Sequence, residues 1–306
     1  MIDIKELQEK LKENPNDYKV MEEYAIALSD IGENEEALKN FLYLKDIFPE
    51  NPQILYNIGI ILEKLKYFDE SIAAYEKALS LDSNDVDVMY NLANSYIKMK
   101  NYNKAEELLK KVIESDEFDS NAYFHLGEVY SRLKRHQDAI DALSKSIELN
   151  GADVIAKFYL AFEYKEVGEI QTAIKLYEEV ISQSPDYSWA YYNLASIYLE
   201  LENDDKAIFY LERTIKTNPN DIPAIKLLVK ILSKHKKYVV AENILKKATV
   251  AMPLEADIYY LLAQVYKCLN NKMNYLKYLK FTEKKVITFS GDKDTLLSEI
   301  KELEEN

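Results

Sequence analysis

The 306-residue chain has little of what catalytic and secreted proteins are commonly built from. A single cysteine, Cys268, excludes an internal disulfide framework, so nothing ties the chain to an oxidising compartment. Three histidines and six glycines leave scant material for a metal cluster or a glycine-rich phosphate cradle. No run approaches the roughly 18 apolar residues of a membrane span. The opening stretch MIDIKELQEKLKENPND is charged and helix-periodic, without the apolar segment of a signal peptide. Basic side chains are outnumbered, 39 against 53, and the net charge of −14 weighs against a nucleic-acid backbone as the main partner. The expectation is a cytoplasmic protein with no membrane and no nucleic-acid partner. One section departs from the acidic whole: residues 222–285 hold 13 lysines against 4 acids.

What the chain does have is one unit written eight times. Shifted against itself by 34 residues, it matches without a gap, with units opening at Tyr18, Pro52, Val86, Ser120, Val154, Ser188, Ile222 and Ala256. The eighth position of each unit is small in all but one copy (Ala25, Gly59, Ala93, Gly127, Ala161, Ala195, Val229, Ala263). The twentieth is small up to Ala241 and departs at Tyr275. The twenty-fourth is always large: Phe41, Tyr75, Leu109, Leu143, Tyr177, Leu211, Leu245 and Leu279. Positions seven, eight and eleven share one helical face, and twenty and twenty-four share another. Small residues let two helices approach, and large ones fill the space around the contact. Each unit therefore reads as an antiparallel helix pair. Five prolines, from Pro15 to Pro253, recur at position thirty-two between units, and Gly32 and Gly168 fall in the turn inside the pair.

These columns resemble the tetratricopeptide repeat family over residues 18–289, and the second unit, NPQILYNIGIILEKLKYFDESIAAYEKALSLDSN, is similar to a family consensus. The expected fold is all-α, a right-handed α-solenoid of stacked helix pairs with terminal capping helices. Residues 1–17 are read as an N-terminal half-repeat and 290–306 as a closing helix that covers an atypical last unit. A unit this short does not fold alone, so the stack is expected to be one continuous solenoid rather than two domains.

No catalytic constellation is visible. His125, His136 and His235 stand at different positions of their units, so no two share a face at ligand spacing, and neither a metal nor a cofactor is expected. Cys268 has no activating base in its neighbourhood and reads as inert. The expectation is a non-enzyme.

The family resemblance implies that first helices line a concave groove, with positions two, five, six, nine, twelve and thirteen facing inward. Three features fall there. Asn57, Asn91 and Asn193 share position six with His125, and Asn94 lies one turn from Tyr90; stacked carboxamides can pair with the backbone of an extended peptide. Tyr159, Phe162 and Trp189 exceed the consensus; they either point into the groove as anchors for a partner's apolar residues or pack across the seams between units. Lys226, Lys230 and Lys234, spaced by four, form a basic stripe that an anionic ligand could relieve, or a solvated face. The two-carboxylate clamp by which some family members hold chaperone tails is missing, because Tyr90, Ile155 and Tyr159 stand where it needs other residues. The reading is a protein-interaction scaffold whose partner is another protein or peptide segment with apolar anchors followed by acidic residues. A self-assembling homo-oligomer or a regulatory subunit of a larger complex is the alternative.

Overall fold

The structure is a computed structural model that describes residues 4–305, without the side chain of Val286. The first three residues of the expected N-terminal half-repeat, and Asn306 of the closing segment, lie outside the described residues. All regular elements among the described residues are helical. The first helices of the repeats are α2 (Tyr18–Asp30), α4 (Pro52–Lys64), α6 (Val86–Lys98), α8 (Ser120–Arg132), α10 (Val154–Glu166), α12 (Ser188–Glu200), α14 (Ile222–Lys234) and α16 (Ala256–Cys268). Between them run α3 (Asn34–Ile47), α5 (Phe68–Leu81), α7 (Tyr102–Ser115), α9 (His136–Leu149), α11 (Ile170–Gln183), α13 (Asp204–Thr217), α15 (Tyr238–Ala251) and α17 (Lys272–Glu283). α1 (Ile4–Glu13) precedes them, and a 3-10 turn (Val286–Thr288) and α18 (Lys293–Glu305) follow.

The helix boundaries have local causes. The residue before a first helix is usually a short acid or amide whose side chain accepts from a backbone N–H two or three residues on: Asp17, Asn51, Asp85, Asp119, Asp153 and Asp221. Tyr187 and Glu255 break that column and do not cap. Pro52 and Pro223 sit in the first turn, where a missing N–H costs nothing. Inside each pair the chain reverses through a left-handed residue at position fifteen. Gly32 and Gly168 take it with φ of 88° and 84°, but Lys66, Lys100, Lys134, Glu202, Lys236 and Asn270 take it too, at 55–65°. The next N–H then reaches back five residues, as from Asn101 to the Tyr96 carbonyl at 2.8 Å.

In a stack where a repeat touches only its neighbours, no single centre forms. The helices group into two compact units, Met1–Gly168 and Glu169–Asn306. In the first, position eight faces position twenty-four as the residue sizes require: a Cβ added to Gly127 would stand 2.6 Å from Leu143 Cγ. Leu7 of α1 keeps position twenty-four of the same count and is buried. In the second, Leu296 and Ile300 of α18 fall at positions seven and eleven of the count and are buried like their counterparts. Leu297, at the eighth position, is large and 49 % exposed, unlike the small buried residues of that column. Asp292 caps α18 through the Thr295 N–H at 3.1 Å. Tyr275, the departure in the twentieth column, is buried under Lys267, whose ammonium lies 5.3 Å from the ring centre.

Candidate functional site

Within the first unit, α6, α8 and α10 carry a run of touching rings. Tyr90 meets His125 at 5.7 Å between centroids, His125 meets Phe124 at 5.2 Å, Phe124 meets Tyr159 at 5.6 Å, and Tyr159 meets Phe158 at 5.8 Å. All are edge-on, the arrangement that ring quadrupoles favour. Tyr159 therefore packs across the seam between α8 and α10, yet it and its neighbours stay only half-buried. Burial raises the hydroxyl pKa of Tyr90 and of Tyr159, so both remain neutral donors. Phe162 is half-buried on the same helix as Tyr159, and Ile155 is 50 % exposed.

The amides beside this run are unequal. Asn91 spends both donors within the fold, on the Asp87 carbonyl at 2.9 Å and the Tyr56 hydroxyl at 2.9 Å. Asn57 is half-buried. Asn94 and His125 are different: Asn94 Oδ1 and His125 Nδ1 are both buried and neither has a hydrogen-bond partner. Glu128 Oε2 lies 3.5 Å from that nitrogen, within ion-pair range but without hydrogen-bond geometry. Buried polar atoms nearly always find partners in folded proteins. The two orphans stand on neighbouring first helices inside one aromatic run.

In the second unit, Trp189 is 61 % exposed at the start of α12. Its carbonyl takes the Asn193 amide at 2.8 Å, so that carboxamide closes on its own helix instead of extending a ladder of free donors. Two of the three lysines in the stripe are paired with acids. Lys226 pairs with Asp257 at 2.5 Å and reaches Ser290 at 3.3 Å, while Lys234 pairs with Asp204 at 2.6 Å. His235 joins the same carboxylate at 2.6 Å. Lys267 is held by Glu299 of α18 at 3.1 Å, and that hydrogen bond raises its pKa. Of the three striped lysines only Lys230 lacks an ion pair among the described residues. Spacing along one helix sees like charges, whereas the neutralising acids come from neighbouring helices about thirty residues away. An acid that far from each lysine was the signal available in the sequence.

Among the described residues no group of three or more His, Cys, Asp or Glu is placed to hold a metal ion. Cys268 is free and exposed. No helix among the described residues is long and apolar enough to cross a membrane.

Tetratricopeptide repeat models match residues 50–117 and 165–232, and a model described as the tetratricopeptide repeat protein 21 C-terminal ARM domain matches residues 91–190. No curated protein matches the chain. Among solved structures, MamA is 32 % identical over 53 % of this chain and 95 % of its own, with a TM-score of 0.50. YrrB, described as a TPR protein with an unusual peptide-binding site, is 25 % identical over 61 % of this chain and 96 % of its own, with a TM-score of 0.52. A tetratricopeptide repeat protein from Parabacteroides merdae shares the fold at 18 % identity, covering 94 % of this chain and 99 % of its own, with a TM-score of 0.60. The chain belongs to the tetratricopeptide repeat family and is all-α.

Proposed function

We propose that this protein is a non-catalytic interaction scaffold that holds an extended segment of another protein against the first helices α6, α8 and α10. The observation that carries the reading is the run of half-buried rings Tyr90, Phe124 and Tyr159, with Asn94 and His125 set among them. The half-buried rings beside them give the segment's apolar side chains a surface to cover. YrrB, with its described peptide-binding site, supports the same use of the repeat. In the second unit, exposed Trp189 and unpaired Lys230 are the two elements left to an apolar-then-acidic segment.

The test is selection of peptides from a display library on the wild-type protein, followed by affinity measurement on variants. Asn94→Ala and Tyr159→Ala should each weaken the selected peptides about tenfold, the loss expected when a buried hydrogen bond or ring contact is removed. Lys39→Ala, on an exposed side chain of α3, should leave affinity unchanged. Selected peptides that bind all three variants like the wild type would remove the assignment.

A further inference from the structure

Two second helices of the second unit flank an open groove away from the first-helix site. It measures about 420 Å³ and lies between α13 and α15, above α14. Its floor is Ile225 and Leu228, both fully buried, and its walls include Ile215, Ile244, Ala248 and Ala251. Glu212, Lys216 and Lys247 stand at its rim. The size falls in the range of about 300–1,000 Å³ typical of small-ligand sites, which are apolar with few polar groups.

The matching seam in the first unit, between α5 and α7 above α6, shows what is particular here. That groove is of similar volume, about 430 Å³, but its charges are spent on one another. Lys104 pairs with Glu76 at 3.3 Å, Lys111 pairs with Glu107 at 2.7 Å, and the Tyr96 hydroxyl donates to Glu76. Around the second-unit groove neither Lys216 nor Lys247 makes an ion pair among the described residues, and the rim holds two lysines against one acid. The wall also differs. Ala248 and Ala251 occupy the two positions where α7 carries Val112 and Ser115, which leaves α15 with less side chain to close the seam. Apolar walls and two unspent cations above them define a ligand with an apolar body and an anionic head.

We propose that this groove binds a small amphiphilic carboxylate of the medium-chain acyl type, its chain against Ile215 and Ile244 and its head between Lys216 and Lys247. Burial of the chain supplies the attraction, and the lysines select the charged head over a neutral one. The inference does not rest on the first-helix face: it uses other helices, another ligand class and another unit.

Decanoate is the probe, titrated below its micelle concentration into the full-length protein and followed by calorimetry and by methyl NMR of Ile215 and Ile244. Saturable one-to-one binding with shifts at those two methyls is the expected result. The double variant Lys216→Gln/Lys247→Gln, which changes only exposed rim side chains, should weaken it about tenfold, and decanol should bind the wild type more weakly by a similar factor. Ala251→Trp, at an exposed position that fills the groove, should abolish binding while circular dichroism stays unchanged. Absence of saturation, uptake of several molecules without shifts at Ile215 and Ile244, or binding indifferent to the lysine variant overturns the proposal. So does equal affinity for decanol.

Discussion

Gly59 lies directly under the ring of Tyr75, so close that a Cβ built on the glycine would overlap the ring's edge. The two residues stand sixteen apart, on α4 and α5, and Tyr75 is fully buried, so the ring has no free space to retreat into. Ser71, one turn before Tyr75, ties the same contact by donating to the Gly59 carbonyl at 3.0 Å. Gly59→Ala should therefore destabilise the protein by about 1–3 kcal/mol, the usual cost of forcing atoms into a packed core. Tyr75→Leu in the same chain should recover part of the loss. Equilibrium urea unfolding of the two single variants and the double variant checks both the cost and the coupling.

The left-handed turn residues give a prediction of opposite sign. Lys100 holds φ of 60° between α6 and α7, where an L side chain costs roughly 1–2 kcal/mol over glycine. Lys100→Gly releases that strain but makes the unfolded chain freer by about 0.4–1 kcal/mol. The net gain should be about 0.5–1 kcal/mol, read as a higher urea midpoint. Gly32→Ala, at φ of 88°, should lower it.

Glu163 is fully buried on α10, and among the described residues its one hydrogen-bond partner is His136, the first residue of α9, at 2.8 Å. Its second oxygen, Oε1, has no partner. Removal of the imidazole by His136→Ala should cost about 3 kcal/mol, because a charge is left buried without compensation. Glu163→Leu should be neutral or stabilising, since an apolar side chain needs no partner and His136 can turn to water. Thermal unfolding of the two variants side by side separates a structural clip from a merely tolerated acid.

Asp257 joins three parts of the second unit: it receives Lys226 at 2.5 Å, the Ser290 N–H at 2.8 Å and the Ser290 hydroxyl at 2.6 Å. Burial works against its charge, but the hydrogen bonds from Lys226 and Ser290 outweigh it and hold the carboxyl below the ordinary aspartate value. A depressed folded pKa contributes stability that is present above the unfolded value, about 3.9, and is lost as pH falls through the folded one. The junction before α18 should stay closed at neutral pH and loosen below about pH 4, with faster hydrogen exchange at the Ser290 amide. Asp257→Asn should show fast exchange at neutral pH and leave Lys226 unpaired. Equal protection of Ser290 in both proteins would refute the link.

Much of this architecture was legible in the sequence, and the reason is spacing. A 34-residue period with fixed columns of residue size states which helix faces meet, as Gly127 under Leu143 illustrates. The turns were legible only in part: Gly32 and Gly168 announce a left-handed residue, but Lys66 and Glu202 adopt the same conformation without announcing it, since the register of the two helices imposes it. The candidate site was read less well. Tyr159 was marked as an aromatic beyond the consensus, but its two readings, anchor or seam, stayed open until its ring was placed against Phe124. Lys226 and Lys234 read from spacing alone as a stripe for an anionic ligand or a solvated face, and in the structure Asp257 and Asp204 pair with them.

The sequence by itself determined the family, the helix pairs and the small-against-large packing between them, because these depend on residue size at fixed intervals along one chain. The tertiary structure decided which charges are spent and which polar atoms are left over. Ion pairs and orphaned hydrogen bonds depend on which side chains of neighbouring helices come within about 3–4 Å, a distance no spacing rule specifies. Asn91 and Asn94 are carboxamides on the same helix, yet the first spends its donors on Asp87 and Tyr56 and the second keeps a buried oxygen without a partner.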